Sequence, residues 1–189
     1  MVAAFAFFAV LSWLICWRAT PLGEWLGVMD RPDGQRKLHR EATPLIGGTA
    51  IAVPITLVAA VLATHSPVGP FFLVLALLTA GLWLLGLIDD RRTLKPMIRL
   101  GLSLIAGGAA MLAIPDLAVG HFRFSFLDRA LFLDGWAIPF TLVCLVGLQN
   151  AVNMADGKNG LVTGIALIWT GLLALHAPVH LVGLLWALA

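Results

Sequence analysis

The chain alternates long apolar runs with short polar connectors. A bilayer core of about 30 Å takes roughly 20 apolar residues of helix. Six runs approach that length: residues 1–17, 46–64, 71–88, 97–114, 136–152 and 161–175. A seventh, 179–189, is too short to span. The first run has no basic start and no small-residue cleavage site, so it reads as a retained helix rather than a leader. The fifth and sixth are short and also read as one element broken around residues 150–160. Pro54 and Gly107-Gly108 fall inside the second and fourth runs. Membrane helices tolerate both, because neighbours satisfy freed backbone groups and small residues permit close packing. Between the fourth and fifth runs, His121-Phe122-Arg123-Phe124-Ser125-Phe126 alternates polar and aromatic residues. That is a strand period, and it predicts a small β-hairpin within 115–135.

Composition narrows the class further. The 189 residues are 60% hydrophobic and only 12% charged, with a mean hydropathy of +0.97. A soluble domain carries about 25% charged residues. A soluble domain, a disordered chain and a nucleic-acid-binding module are therefore excluded. The expected fold is an all-α polytopic membrane protein of about six transmembrane helices plus a partial seventh. It forms a single integral-membrane domain over residues 1–189. Cys16 and Cys144 lie inside apolar runs and read as small buried hydrophobes. Trp13, Trp17, Trp25, Trp136 and Trp186 lie near run ends, as an interfacial belt does.

The net charge of +2 identifies no partner, but the placement of the charges orients the chain. Arg18, Arg31, Arg36, Lys37, Arg40, Arg91, Arg92, Lys95, Arg99 and Lys158 fall in alternate connectors, and only Arg123 and Arg129 fall in the others. Basic connectors face the cytoplasm. The N-terminus and the hairpin are then expected outside, in a multi-pass protein of the bacterial inner membrane.

Three polar clusters fall on the cytoplasmic side. Asp89-Asp90 follows eighteen uncharged residues. Carboxylates near a bilayer are costly and point to function, and two adjacent ones repel. The flanking Arg91 and Arg92 also allow a solvated, self-neutralising helix end. In Asn150-Ala-Val-Asn153-Met-Ala-Asp156-Gly157, the asparagines share a helical face that Asp156 continues. Such oxygen donors suit a hard cation such as Mg²⁺, which binds through one or two carboxylates plus substrate phosphates. A polar cap between two helices is the plainer alternative. The third cluster runs from Asp30 to Gly48, with Arg36-Lys37-Leu38-His39 and Thr43-Pro44-Leu45-Ile46-Gly47-Gly48. It is either a positive-inside anchor or a phosphate cradle of cations and helix-start amides.

Together these motifs resemble the polyprenyl-phosphate N-acetylhexosamine-1-phosphate transferases, which include the phospho-MurNAc-pentapeptide translocase. The resemblance carried by Arg36-Lys37-Leu38-His39, Thr43 to Gly48, Gly86-Leu87-Ile88-Asp89-Asp90 and Asn150 to Gly157 spans essentially the whole chain. It looks closer to the UDP-GlcNAc-using branch. It implies transfer of a sugar-1-phosphate from a UDP-sugar to undecaprenyl phosphate with Mg²⁺, or Mn²⁺ in its place, initiating a lipid-linked polysaccharide such as O-antigen. By position it implies Asp89 and Asp90 as the catalytic pair and Asp156 and Asn153 as the metal-positioning pair. Lys37, His39, Thr43, Gly47, Gly48 and Asn150 would then bind substrate. It also implies a homodimer, for which no interface signal is legible.

Two departures from the family pattern stand out. Asn159 replaces an aspartate found in many relatives, and family members have about ten or eleven spans, with later cytoplasmic loops absent here. A chain ending at 189 is expected to be a truncated form, inactive or nearly so by itself. The competing reading is a non-catalytic membrane fragment, a transporter piece or an assembly partner. A transporter would place its polar residues at mid-membrane, whereas these cluster at helix ends.

Overall fold

The computed structural model describes residues 2–30, 42–127, 129–155 and 161–176. The elements are α1 (Val2–Trp17), α2 (Ala19–Leu26), β1 (Met29–Asp30), β2 (Thr43–Pro44), α3 (Gly47–His65), α4 (Gly69–Arg92), α5 (Pro96–Ala113), β3 (His121–Phe122), β4 (Leu131–Phe132), α6 (Ala137–Ala155) and α7 (Leu161–His176). The described residues fall into two compact units, one drawn from 1–94 and 164–189, the other from 95–163.

Four segments are long and apolar enough to cross a membrane: Gly47–His65, Gly69–Arg92, Pro96–Ala113 and Asp134–Ala155. A fifth is possible if Ala6–Trp17 and Ala19–Leu26, bent by 73°, form one broken span. The apolar stretch Leu161–Leu173 is shorter than a span. Among the described residues, four of the expected spans, or five with the bent pair, are thus long and apolar enough to cross. The bend has a local cause. Pro21 lacks an N–H and its ring would collide with the Trp17 carbonyl four residues earlier, so α1 cannot continue as a straight helix. The short α2 that follows was not expected from the apolar pattern, which leaves residues 18–45 as connector.

In the first unit, α3 and α4 form an antiparallel pair, turned at Ser66-Pro67-Val68. Small residues let the two approach: Ala59 and Ala76 are buried with Phe72. At Gly69 an added Cβ would stand 2.4 Å from the Ala63 carbonyl oxygen, so only glycine fits this corner. Away from the contact, Ile51, Leu57, Val61, Leu73, Leu77 and Leu84 are exposed, as a lipid-facing surface requires.

Helix α1 packs on α3, and Pro54 explains where. Pro54 is buried inside a continuous α3. A proline at that position has no N–H for the carbonyl four residues back, which is that of Ala50. The Ser12 hydroxyl of α1 donates to that carbonyl at 2.8 Å. The helix break that proline would cause is thus offset by a neighbour's side chain. Beside this bond lies an apolar cluster of Ile15, Val28, Ile46 and Ala50, with Leu11, Leu22, Leu26 and Leu87 packed against it. It ties together the end of α1, all of α2, the start of α3 and the end of α4.

In the second unit, α5 packs on α6 through Gly107, where an added Cβ would lie 3.1 Å from Leu142 and Leu145. This is the packing role expected for that glycine. The expected hairpin is present as β3 and β4, antiparallel with His121 opposite Phe132 and Phe122 opposite Leu131. Pairing covers only two residues per strand, because a turn at Ser125-Phe126 interrupts the six-residue alternation. Phe122 packs edge-on against Phe140 of α6 at 5.2 Å, and the Thr141 hydroxyl accepts the Val119 N–H. Cys16 and Cys144 are exposed rather than buried, since both lie on helix faces turned away from the helix contacts.

Replacing Ser12 with alanine is expected to lower stability by about 1–2 kcal/mol, the cost of one orphaned buried carbonyl. In a Pro54→Ala background the helix supplies its own donor, and the same change should cost less than about 0.5 kcal/mol. Unfolding of the four variants in bicelles measures both terms; equal losses in the two backgrounds would refute the assignment.

Candidate active site

The end of the α3–α4 pair carries the aspartate pair. Asp89 and Asp90 occupy the last turn of α4. The helix stops at Thr93, which adopts a left-handed φ of 45°. The Asp89 carbonyl accepts the Thr93 N–H at 2.7 Å, and its carboxylate Oδ1 accepts the Leu94 N–H at 2.8 Å. Asp89 thereby helps hold the exit from the helix. Asp90 turns the other way and lines a cleft of about 160 Å³ with Leu45, Gly48, Thr49, Trp83, Gly86 and Leu87 among its walls.

The opposite wall is the first turn of α3. Gly47, Gly48 and Thr49 are the opening residues of the helix, whose first internal bond runs from the Ala50 N–H to the Ile46 carbonyl. Their three amides therefore lack intrahelical acceptors and present the positive end of the helix dipole. An added Cβ at Gly47, Gly48 or Gly86 would meet nothing within 4 Å. These glycines are thus not required by close packing; at Gly48 and Gly86 the missing side chain leaves the cleft open. The cleft floor is polar, because the Trp83 indole Nε1–H donates to the Thr49 hydroxyl at 3.1 Å.

Helix α2 and the β1–β2 ribbon set the height of this wall. In the ribbon Met29 pairs with Pro44 and Asp30 with Thr43, and the Leu45 N–H donates to the Val28 carbonyl at 2.9 Å. The ribbon lies against Gly23 of α2, where an added Cβ would stand 2.8 Å from both Met29 Sδ and Pro44 Cβ. Helix α2 ends at Gly27 in a left-handed φ of 67°, with the Val28 and Gly27 N–H groups donating to the Gly23 and Glu24 carbonyls. That pattern is a Schellman cap. Arg91 Nε donates to the Leu26 carbonyl, a cation at a helix C-terminus. Arg91 is thus engaged with α2 instead of simply neutralising its neighbouring aspartates.

The expected site residues divide as follows. Asp90 and Gly48 line one cleft; Gly47 adjoins it, Asp89 precedes it, and Thr43 is set by the ribbon. Asn150 and Asn153 lie on α6 in the other unit, the Asn150 Nδ2 donating to the Val146 carbonyl at 2.8 Å. Lys37, His39 and Asp156 lie outside the described residues. Among the described residues no three His, Cys, Asp or Glu side chains converge on a metal position. Thr49 and Trp83 were missed and Gly86 was read only as part of its motif, yet a signal existed for Trp83 and Gly86: Trp83, Gly86, Leu87 and Asp90 are spaced i, i+3, i+4, i+7, one face of one helix.

Membrane-length helices with a carboxylate- and glycine-walled cleft at one end define a multi-pass membrane protein with its polar site at a helix terminus. The chain belongs to glycosyl transferase family 4, whose profile matches residues 72–188. It is 31% identical, over 80% of its length, to the probable undecaprenyl-phosphate N-acetylglucosaminyl 1-phosphate transferase of Bacillus subtilis, of which it covers 41%. It is 37% identical, over 75% of its length, to the phospho-N-acetylmuramoyl-pentapeptide-transferase of Moorella thermoacetica, covering 47% of that protein. It is 31% identical, over 77% of its length, to the undecaprenyl-phosphate alpha-N-acetylglucosaminyl 1-phosphate transferase of Yersinia pestis, covering 39%. The chain thus spans less than half the length of each. No solved structure matches it significantly.

Gly23→Val should displace the ribbon and speed hydrogen exchange at the Leu45 amide by at least about tenfold, one lost hydrogen bond's worth of protection. Gly48→Ala, whose Cβ meets open space, should leave that exchange rate within about twofold of wild type. Hydrogen–deuterium exchange mass spectrometry reads both, and equal behaviour of the two variants would contradict the packing described.

Proposed function

We propose that the protein carrying this sequence transfers a sugar-1-phosphate from a UDP-sugar to undecaprenyl phosphate at the cytoplasmic face of the bacterial inner membrane. An oxygen of the lipid phosphate attacks the β-phosphorus of the UDP-sugar. A new P–O bond forms, the bond between the β-phosphorus and the bridging oxygen breaks, and UMP leaves. The observation that carries this reading is the shared cleft of Asp90 and Gly48 at a helix end, in a chain of this family. A site at the membrane surface serves a reaction in which one reactant is water-soluble and the other is held in lipid by its prenyl tail.

The GlcNAc form of the donor is proposed from Thr43-Pro44-Leu45-Ile46-Gly47-Gly48 and Asn150-Ala-Val-Asn153-Met-Ala-Asp156-Gly157, with O-antigen or a related lipid-linked polysaccharide as the product pathway. Positive-inside charge placement supports an external N-terminus and an extracytoplasmic hairpin. Asp156 and Asn153 are the proposed metal-positioning pair, oxygen donors that would suit Mg²⁺, or Mn²⁺ in its place. When bound, the ion neutralises charge on the diphosphate. The protein's own groups do the remainder. Asp89 and Asp90 are the proposed catalytic pair, with Asp90 accepting a proton from the lipid phosphate or positioning it and Asp89 also supporting the helix end, and the α3 amides receive phosphate oxygens. Lys37, His39, Thr43 and Asn150 are proposed substrate contacts, and a homodimer is the proposed assembly.

Membranes containing a protein that carries this sequence together with the remaining family segments should transfer labelled GlcNAc-1-phosphate from UDP-GlcNAc to undecaprenyl phosphate, residues 1–189 alone should transfer little or none, and chelation with EDTA should abolish the transfer. Asp90→Asn should lower kcat by about 10²–10⁴-fold, the range for loss of a proton-transfer group. An Asp90→Asn enzyme of wild-type rate, or membranes of the longer protein without transfer, would overturn the reading.

A further inference from the structure

We propose that Thr49 is a phosphate-binding residue and that Trp83 is the positioning residue that orients it. The inference rests on the transferase reading of the same cleft. A hydroxyl has one proton to donate and two lone pairs to accept with, whereas an indole N–H can only donate. Trp83 therefore occupies an acceptor site on Thr49 Oγ1, at 3.1 Å, and the hydroxyl proton must be used elsewhere. Among the described residues Thr49 has no other hydrogen-bond partner. The residue is buried, at 8% exposure, so bulk water does not take that proton freely. It does line the cleft.

A buried donor without an acceptor is unfavourable, and the cleft is the place where an acceptor can arrive. The two walls differ in kind. The α3 wall offers the Thr49 proton and the opening amides of the helix, all donors, and selects an anionic oxygen. The α4 wall offers the Asp90 carboxylate, an acceptor. A phosphate oxygen meets the first wall with a hydrogen bond and is held off the second unless a proton or a cation lies between. The pair thus fixes which side of the phosphate group faces Asp90. The oxygen belongs either to the diphosphate of the sugar donor or to the lipid phosphate.

Three variants separate this from a mere clamp between α3 and α4. Thr49→Val keeps the shape and removes the hydroxyl, Thr49→Ser keeps the hydroxyl, and Trp83→Phe keeps the ring and frees the hydroxyl to rotate. In nanodiscs, binding of ³²P-labelled inorganic diphosphate should weaken about tenfold in Thr49→Val, the effect of one hydrogen bond to a charged oxygen. It should recover in Thr49→Ser and weaken by a smaller factor in Trp83→Phe. In the transfer assay the KM rises for the substrate whose phosphate is held: UDP-GlcNAc for the donor, undecaprenyl phosphate for the acceptor. Tight diphosphate binding by Thr49→Val, no recovery in Thr49→Ser, or no binding by the wild type overturns the proposal. Absence of transfer with Thr49-dependent diphosphate binding intact would instead sink the transferase reading alone.

Discussion

Backbone and side-chain polar groups inside a lipid-facing bundle have no water to fall back on, and that constraint organises the first unit. The Ala50 carbonyl, released by Pro54, is met by Ser12. At the exposed end of α2, where water is at hand, the Leu26 carbonyl is met by Arg91 instead. The Thr49 hydroxyl is met by Trp83. Each contact joins two different helices, so satisfying a polar group and docking a helix are one event. The apolar cluster around Ile15, Val28, Ile46 and Ala50 fills the space between these bonds. Leu87, one helical turn before the last residues of α4, packs on the same cluster, which places the aspartates at its edge.

The cleft follows from what that packing omits. Gly48 of α3 and Gly86 of α4 both line it, with no side chain to fill it. The Schellman cap of α2 and the β1–β2 ribbon bring Thr43 and Leu45 to the rim without filling it. The result is a polar recess in an otherwise apolar unit, with a carboxylate on one side and helix-start amides on the other. Such a recess is unfavourable in an empty bundle, and it lies at the segment that bears the motifs from Thr43 to Gly48 and from Gly86 to Asp90.

The apolar runs made the helix-forming segments legible, because membrane thickness sets their length and Leu, Val, Ile and Ala fill them. They did not reveal the bend at Trp17, because a proline four residues onward acts through a steric clash that a hydropathy pattern averages away. The β1–β2 ribbon was invisible for a similar reason: two residues per strand carry no periodicity. Asp89 and Asp90 were legible as a pair, since charge beside eighteen uncharged residues is conspicuous. Their different environments were not, because successive helix positions diverge by about 100° and only the packing of α3 decides which one meets the cleft. Trp83 was hidden among tryptophans that suit the interface, although its i, i+3, i+7 relation to Gly86 and Asp90 marked it.

That angular divergence has a mechanical side. Asp90 and Arg91 are consecutive, one directed into the cleft and the other gripping the end of α2. Any twist of α4 about its own axis that swings the carboxylate deeper must also drag the guanidinium away from Leu26. The arginine therefore behaves as a torsional stop, and the azimuth of the acidic group is locked to an anchor outside its own helix.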